Sequence, residues 1–138
     1  MMFLNLQSWQ VDLMIEHLAQ VIQPHKTKYQ YVVGIANGGL NVSVPLAIKL
    51  RLPHASIRIS HYKGRIVREI PIVEGQLPEG SCLIVDDLID DGFTMKTCEK
   101  FFGKHDTAVL MRKVGSYEPT YYATEKPNEW VIFPWSDT

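Results

Sequence analysis

Cysteine is scarce in this chain. Cys82 and Cys98 are the only two, too few for a disulfide framework, and both fall in patterns that read as buried. They are expected to be reduced structural thiols of a cytosolic protein. No apolar run approaches the ~20 residues of a membrane span. The opening Met-Met-Phe-Leu-Asn-Leu has no basic region and no long apolar stretch, so no secretory leader and no membrane association are expected. An excess of one charge is also missing: 14 basic residues face 15 acidic ones. The resulting net charge of -1 supplies no field that would draw the chain onto nucleic acid. Repeats, low-complexity tracts and linkers are absent as well. With 46% hydrophobic and 21% charged residues, the composition excludes intrinsic disorder, collagen-like sequence and coiled coil. The 138 residues leave room for one ordinary domain, expected over 1–138.

Periodicity then divides the chain. Val11, Met14, Ile15, Leu18 and Ile22 recur at helical spacing, which predicts a helix over 8–22 with Ser8 as N-cap and Pro24 as its stop. Tyr31-Val-Val-Gly-Ile-Ala36 is almost wholly apolar, as suits a strand covered on both faces. Asn37-Gly38-Gly39 breaks it. A helix is expected over 40–50, beginning near Val42 so that Pro45 falls in its first turn. Residues 56–61 alternate and read as a strand, 63–65 as a turn or loop, and 66–73 as a further extended piece. A second buried strand is expected over 82–85, a helix over 95–102 and a third buried strand over 107–111. The order gives an α/β fold around a mainly parallel sheet flanked by helices. Ligands of such sheets bind outside the carboxyl ends of the strands, where Asn37-Gly38-Gly39 and the stretch 86–94 both fall.

That second stretch holds four carboxylates within six residues: Asp86, Asp87, Asp90 and Asp91. Aspartate is common in solvated turns, but this cluster follows an apolar strand directly. It also leads into Gly92-Phe93-Thr94 at an expected helix start, where backbone N–H groups and the helix dipole favour an anion. Acids beside an anion site are unfavourable unless a cation or a hydroxyl-rich ligand lies between them. A ligand with sugar hydroxyls, a phosphate and a magnesium ion meets every requirement.

Leu83-Ile-Val-Asp-Asp-Leu-Ile-Asp-Asp-Gly-Phe-Thr94 resembles the phosphoribosyl-pyrophosphate motif of type I phosphoribosyltransferases. The resemblance implies that Asp86 and Asp87 hold the ribose hydroxyls and, directly or through water, Mg2+. It implies that Asp90, Asp91, Gly92, Phe93 and Thr94 wrap the 5′-phosphate. Asp91 stands where the family usually has Thr; an ionised Asp cannot donate to phosphate, so its side chain must turn outward or phosphate binding is weakened. In the same resemblance Asn37, Gly38 and Gly39 match the pyrophosphate loop, whose glycines admit backbone N–H groups to the diphosphate. Asn37 replaces the usual Arg and brings no charge. The family's loop often carries a non-proline cis peptide, here the Ala36-Asn37 bond.

Further anchors resemble the purine branch, the bacterial xanthine-guanine and archaeal hypoxanthine-guanine phosphoribosyltransferases, which are short chains with a C-terminal hood. Trp9-Gln-Val-Asp12 resembles the opening helix, and Ser60-His61-Tyr62-Lys63-Gly64 the stretch before the mobile catalytic loop. Arg68 matches an arginine that reaches pyrophosphate. Lys113 matches the lysine that contacts the purine's exocyclic oxygen. Glu129-Trp130-Val131-Ile132-Phe133-Pro134-Trp135 resembles the terminal signature, in which the tryptophan, here Trp130, stacks on the purine and backbone carbonyls from Val131 onward read the ring edge. The hood is expected over 115–138. His61, Tyr62 and Lys63 read as scaffold and loop, and His17, His25, His54 and His105 have no metal-ligand spacing.

The implied reaction transfers phosphoribosyl from phosphoribosyl pyrophosphate to a purine base, with Asp90 managing the purine's proton. The family also implies a homo-oligomer, a dimer or tetramer. A second reading stays open: a nucleotide-binding or regulatory protein on the same fold with little turnover, motivated by Asn37 and Asp91. A receiver-like signalling domain shares acids at strand ends but explains neither Gly92-Phe93-Thr94 nor the tryptophan-rich tail.

Overall fold

A computed structural model describes residues 2–63 and 69–136. In chain order the elements are β1 (Phe3–Asn5), α1 (Ser8–Ile22), a 3₁₀ segment (Gln23–Lys28), β2 (Tyr31–Ala36), α2 (Leu40–Leu50), β3 (His54–Lys63), β4 (Glu69–Glu74), β5 (Cys82–Val85), β6 (Leu88–Ile89), α3 (Phe93–Phe102), β7 (Asp106–Arg112), β8 (Tyr121–Glu125) and β9 (Trp130–Ile132). The main sheet runs β4-β3-β2-β5-β7-β6, with β8 also paired to β7. The β3–β4 pairing is antiparallel and the others are parallel. This is the expected mixed α/β architecture.

The continuous apolar strands are explained by cover on both faces. Side chains alternate across a strand, so Val32, Leu83, Val85 and Leu110 join Leu18, Ile22, Leu46 and Leu50 of α1 and α2 in one cluster. Val33, Ile35, Ile84 and Val109 face the other way, onto Met95 and Cys98 of α3. Both thiols are free and buried, and burial pushes them above the ordinary thiol range, which suits inert packing groups.

Several boundaries differ from the sequence reading. Ser8 is the first helical residue rather than the cap; Gln7 precedes α1, and its N–H donates to Gln10 Oε1 at 2.7 Å. Helix α2 begins at Leu40, so Pro45 lies inside it rather than in its first turn. The glycine loop starts it early: the N–H groups of Leu40 and Asn41 donate to the carbonyls of Asn37 and Gly38. Strand β3 extends to Lys63, where a turn had been expected to begin. Three short strands carried no periodic signal. Of these, β1 pairs parallel with β9, Phe3 opposite Trp130, to make a separate two-stranded sheet, and β6 falls inside the acidic stretch.

The β5–β6 relation explains how that stretch is held. Val85 pairs with Ala108 and Leu88 with Met111, in one unbroken register along β7. Asp86 and Asp87 form the gap between the two pieces. Their backbone stays tied to β7: Asp86 N–H donates to the Ala108 carbonyl at 3.1 Å, and Leu110 N–H donates to the Asp87 carbonyl at 3.1 Å.

Candidate active site

Three parallel strands, β2, β5 and β7, are consecutive in the sheet, so their carboxyl ends open on the same edge. Gly34 pairs with Val85 and Val85 with Ala108. Two of the segments that follow are therefore neighbours, Asn37-Gly38-Gly39 after β2 and Asp86-Asp87 after β5, while β7 runs on along β6 to Lys113. The sheet topology brings Gly38 against Asp87, 49 positions away.

The glycine loop lies directly against the acid pair. A Cβ at Gly38 would clash with Asp87 Oδ2, and one at Gly39 would stand 3.0 Å from Asp86 Oδ1. Only a residue without a side chain leaves that approach open. The Ala36-Asn37 peptide is cis, as the resemblance implied. Asp86 is 9% exposed, and its Oδ1 accepts the Asp87 N–H at 2.9 Å. Burial, and next the charge of Asp87, push its carboxyl well above the usual carboxylate range. Asp87 Oδ2 accepts the Trp135 indole N–H at 3.1 Å.

Farther along, Lys113 N–H donates to the Ile89 carbonyl at 3.0 Å, which places its side chain beside Asp90: Nζ lies 3.4 Å from Asp90 Oδ1. Gly92, with φ of +82°, turns the chain into α3, and a Cβ there would meet Tyr117 Cβ at 2.7 Å. Helix α3 begins at Phe93 rather than Met95, so Phe93 and Thr94 sit in its first turn. Asp91 does not turn away. Its Oδ1 accepts the Phe93 N–H at 2.9 Å, and so occupies one donor of the expected phosphate cradle. Residues 88–95 surround a small cavity at this turn.

A model of the family described as phosphoribosyl transferase domain matches residues 8–136. The chain belongs to the phosphoribosyltransferase family. Among solved structures, this phosphoribosyltransferase is similar to the purine phosphoribosyltransferase of Pyrococcus horikoshii, with 30% identity and a TM-score of 0.83 over 100% of this chain and 96% of that one. The xanthine-guanine-hypoxanthine phosphoribosyltransferase of Helicobacter pylori shares the fold at 17% identity and a TM-score of 0.81, covering 96% of this chain and 93% of that one. The orotate phosphoribosyltransferase of Aeropyrum pernix does so at 21% identity and 0.62, covering 86% and 73%.

The remaining candidates are placed less closely. Trp130 is tied to β1 by its N–H, which donates to the Met2 carbonyl at 2.9 Å, and its surface is 58% exposed. Val131 packs into the core. Arg68 lies outside the described residues. The sequence reading passed over two residues at the site. Trp135 was read only as part of the terminal signature, yet it contacts the acid pair. His61, read as scaffold, packs edge-on against Phe93 with centroids 4.2 Å apart, and its Nε2 lies 3.5 Å from Thr94 Oγ1. No local spacing signals either contact, because β3 and the C-terminal tail reach the site only through the fold.

Proposed function

We propose that this phosphoribosyltransferase transfers 5-phosphoribosyl from phosphoribosyl pyrophosphate to an oxopurine (guanine, xanthine or hypoxanthine), releasing pyrophosphate, as a step of purine salvage. The observation that carries the reading is the contact of Gly38-Gly39 with Asp86-Asp87, with Lys113 at the end of the neighbouring strand β7. The 30% identity to a purine phosphoribosyltransferase over the whole chain supports a purine as acceptor.

The glycine loop presents backbone N–H groups to the diphosphate, assisted by Asn37. Asp86 and Asp87 accept the ribose hydroxyls and keep a negative environment near the anomeric carbon, whose transition state is oxocarbenium-like. Backbone N–H groups at Gly92 and Thr94 receive the 5′-phosphate, joined by that of Phe93 once the Asp91 carboxylate releases it. The purine ring nitrogen forms a bond to that carbon as the carbon–oxygen bond to pyrophosphate breaks, and Asp90 takes the nitrogen's proton. Lys113 donates to the six-position oxygen, Trp130 stacks on the ring, and the backbone from Val131 reads its edge.

Among the described residues, no three of His, Cys, Asp or Glu form a closed metal cage. Mg2+ is commonly held by one or two carboxylates together with substrate phosphates, and buried Asp86 beside half-buried Asp87 fits that open mode. When bound, the ion would neutralise the leaving diphosphate. No helix among the described residues is long and apolar enough to cross a membrane. A cytoplasmic homo-oligomer, acting on small molecules rather than nucleic acid, completes the reading.

One observation favours a second reading, a binding or regulatory protein with little turnover: the Asp91 carboxylate sits on the Phe93 amide. Turnover assays with phosphoribosyl pyrophosphate, Mg2+ and each of guanine, xanthine, hypoxanthine, adenine and orotate separate the cases. Nucleotide formed from oxopurines supports the main reading. Nucleotide formed only from orotate overturns the acceptor. Tight nucleotide binding without turnover establishes the second reading.

A further inference from the structure

We infer that Trp135 is a positioning residue for Asp87: its indole N–H fixes the carboxylate that phosphoribosyl pyrophosphate must meet. The inference rests on the reading of that pair as the ligand's site. The Asp87 backbone is already held, because the N–H groups of Leu110 and Met111 both donate to its carbonyl, at 3.1 and 3.4 Å. Its side chain needs a separate restraint, since bonds at the backbone carbonyl leave the carboxylate free to rotate. Trp135 supplies that restraint through Nε1, 3.1 Å from Oδ2.

The indole is itself immobilised. It stacks on Phe133 with centroids 4.7 Å apart and planes 5° from parallel. Phe133 is buried in the main core. A turn closes around the pair: Phe133 N–H donates to Ser136 Oγ, and Ser136 N–H donates to the Phe133 carbonyl, both at 3.0 Å. A rigid chain of contacts thus runs from the core to one carboxylate oxygen. The same indole nitrogen lies 3.5 Å from the place a Gly38 Cβ would occupy. Residues 38, 87 and 135 meet at one point, so the tail that reads the purine also sets the acid that holds the sugar.

Trp135→Phe keeps a ring over Phe133 and removes the donor. Calorimetry of magnesium phosphoribosyl pyrophosphate, without base present, is expected to show binding weakened about tenfold, the scale of one hydrogen bond to a charged group. The Michaelis constant for phosphoribosyl pyrophosphate should rise by the same factor and that for the purine by less than twofold. In an Asp87→Ala background, which leaves the indole no acceptor there, the Trp135 substitution should add no further loss. A ligand-free measurement covers the case in which the variant folds poorly: the Trp135 indole ¹H–¹⁵N resonance of the wild-type sequence should move on Asp87→Asn, while those of Trp9 and Trp130 stay. Unchanged affinity in Trp135→Phe, equal losses for both substrates, or an indole resonance indifferent to Asp87 would overturn the inference. Wild-type protein that binds no phosphoribosyl pyrophosphate, with the resonance still responding, overturns the functional reading and leaves Trp135 as a packing contact.

Discussion

Lys113 Nζ lies 3.4 Å from Asp90 Oδ1, so the candidate base-reading cation and the candidate proton acceptor are paired across the ends of β7 and β6. Both side chains are more than half exposed, and such a pair contributes little to stability. It can open as a purine arrives. Lys113→Ala is expected to weaken oxopurine use by roughly 1.5–3 kcal/mol through loss of a charge-assisted hydrogen bond. Folding stability should change by under about 0.5 kcal/mol. Steady-state kinetics with hypoxanthine and adenine, beside a thermal melt, check both parts.

Trp130 is tested by its indifference to base identity. Stacking does not read ring edges, so Trp130→Ala should weaken every purine by about 1–3 kcal/mol alike. Unequal losses among guanine, hypoxanthine and adenine would mean that the residue acts in some other way.

Asp91 and Asn37 bear on the phosphorylated substrate. The Asp91 carboxylate holds the Phe93 N–H that a 5′-phosphate would use, and it brings a like charge to that place. Asn37 brings no charge to the diphosphate. A high Michaelis constant for phosphoribosyl pyrophosphate is expected beside an ordinary one for the base. Asp91→Thr and Asn37→Arg should each lower the former, and Asp91→Thr should also tighten nucleotide monophosphate binding. Kinetics at fixed Mg2+ read both, and an unchanged constant in both variants would show that these departures are silent.

Asp86 should cost the ligand-free protein stability. Its carboxyl is raised, first by burial and then by Asp87. Between the ordinary carboxyl range and that raised value, the folded state retains a proton that the unfolded chain has released. Stability therefore falls as pH rises through that window. Asp86→Asn removes the ionisation but keeps an oxygen for the Asp87 N–H. At neutral pH the variant is expected to melt at a higher temperature than the wild type while losing turnover. Melts from acidic to neutral pH should diverge as pH rises; parallel curves would contradict the assignment.

Much of this was legible because period and breakers agree. The apolar runs at 31–36 and 82–85 are strands buried on both faces. The acid pair could be found from its composition directly after such a strand, whereas Asn37-Gly38-Gly39 is ordinary turn composition and stood out only by its place at a strand end and its resemblance to the family's pyrophosphate loop. The contacts of Trp135 and His61 could not, because a residue's distance from the site along β3 or the tail depends on sheet order. Strands β1 and β9 escaped notice since three residues carry no period. The start of α2 was misjudged through Pro45: a missing N–H costs one helical bond, and the glycine loop's own bonds to Leu40 and Asn41 started the helix regardless. For Asp91 the sequence left two outcomes, a side chain turned outward or a weakened phosphate site, and its bond to the Phe93 N–H at the start of α3 points to the second.

The central claim is that Asp86-Asp87 and the glycine loop serve a metal-assisted transfer from phosphoribosyl pyrophosphate. Its most direct test is the rate of nucleotide formation from phosphoribosyl pyrophosphate and an oxopurine, measured with Mg2+, with excess chelator, and in the Asp86→Asn, Asp87→Asn double variant. The account predicts turnover with Mg2+ and none in the other two cases, with the double variant still folded. Turnover that survives the chelator, or that survives loss of both acids, would contradict it.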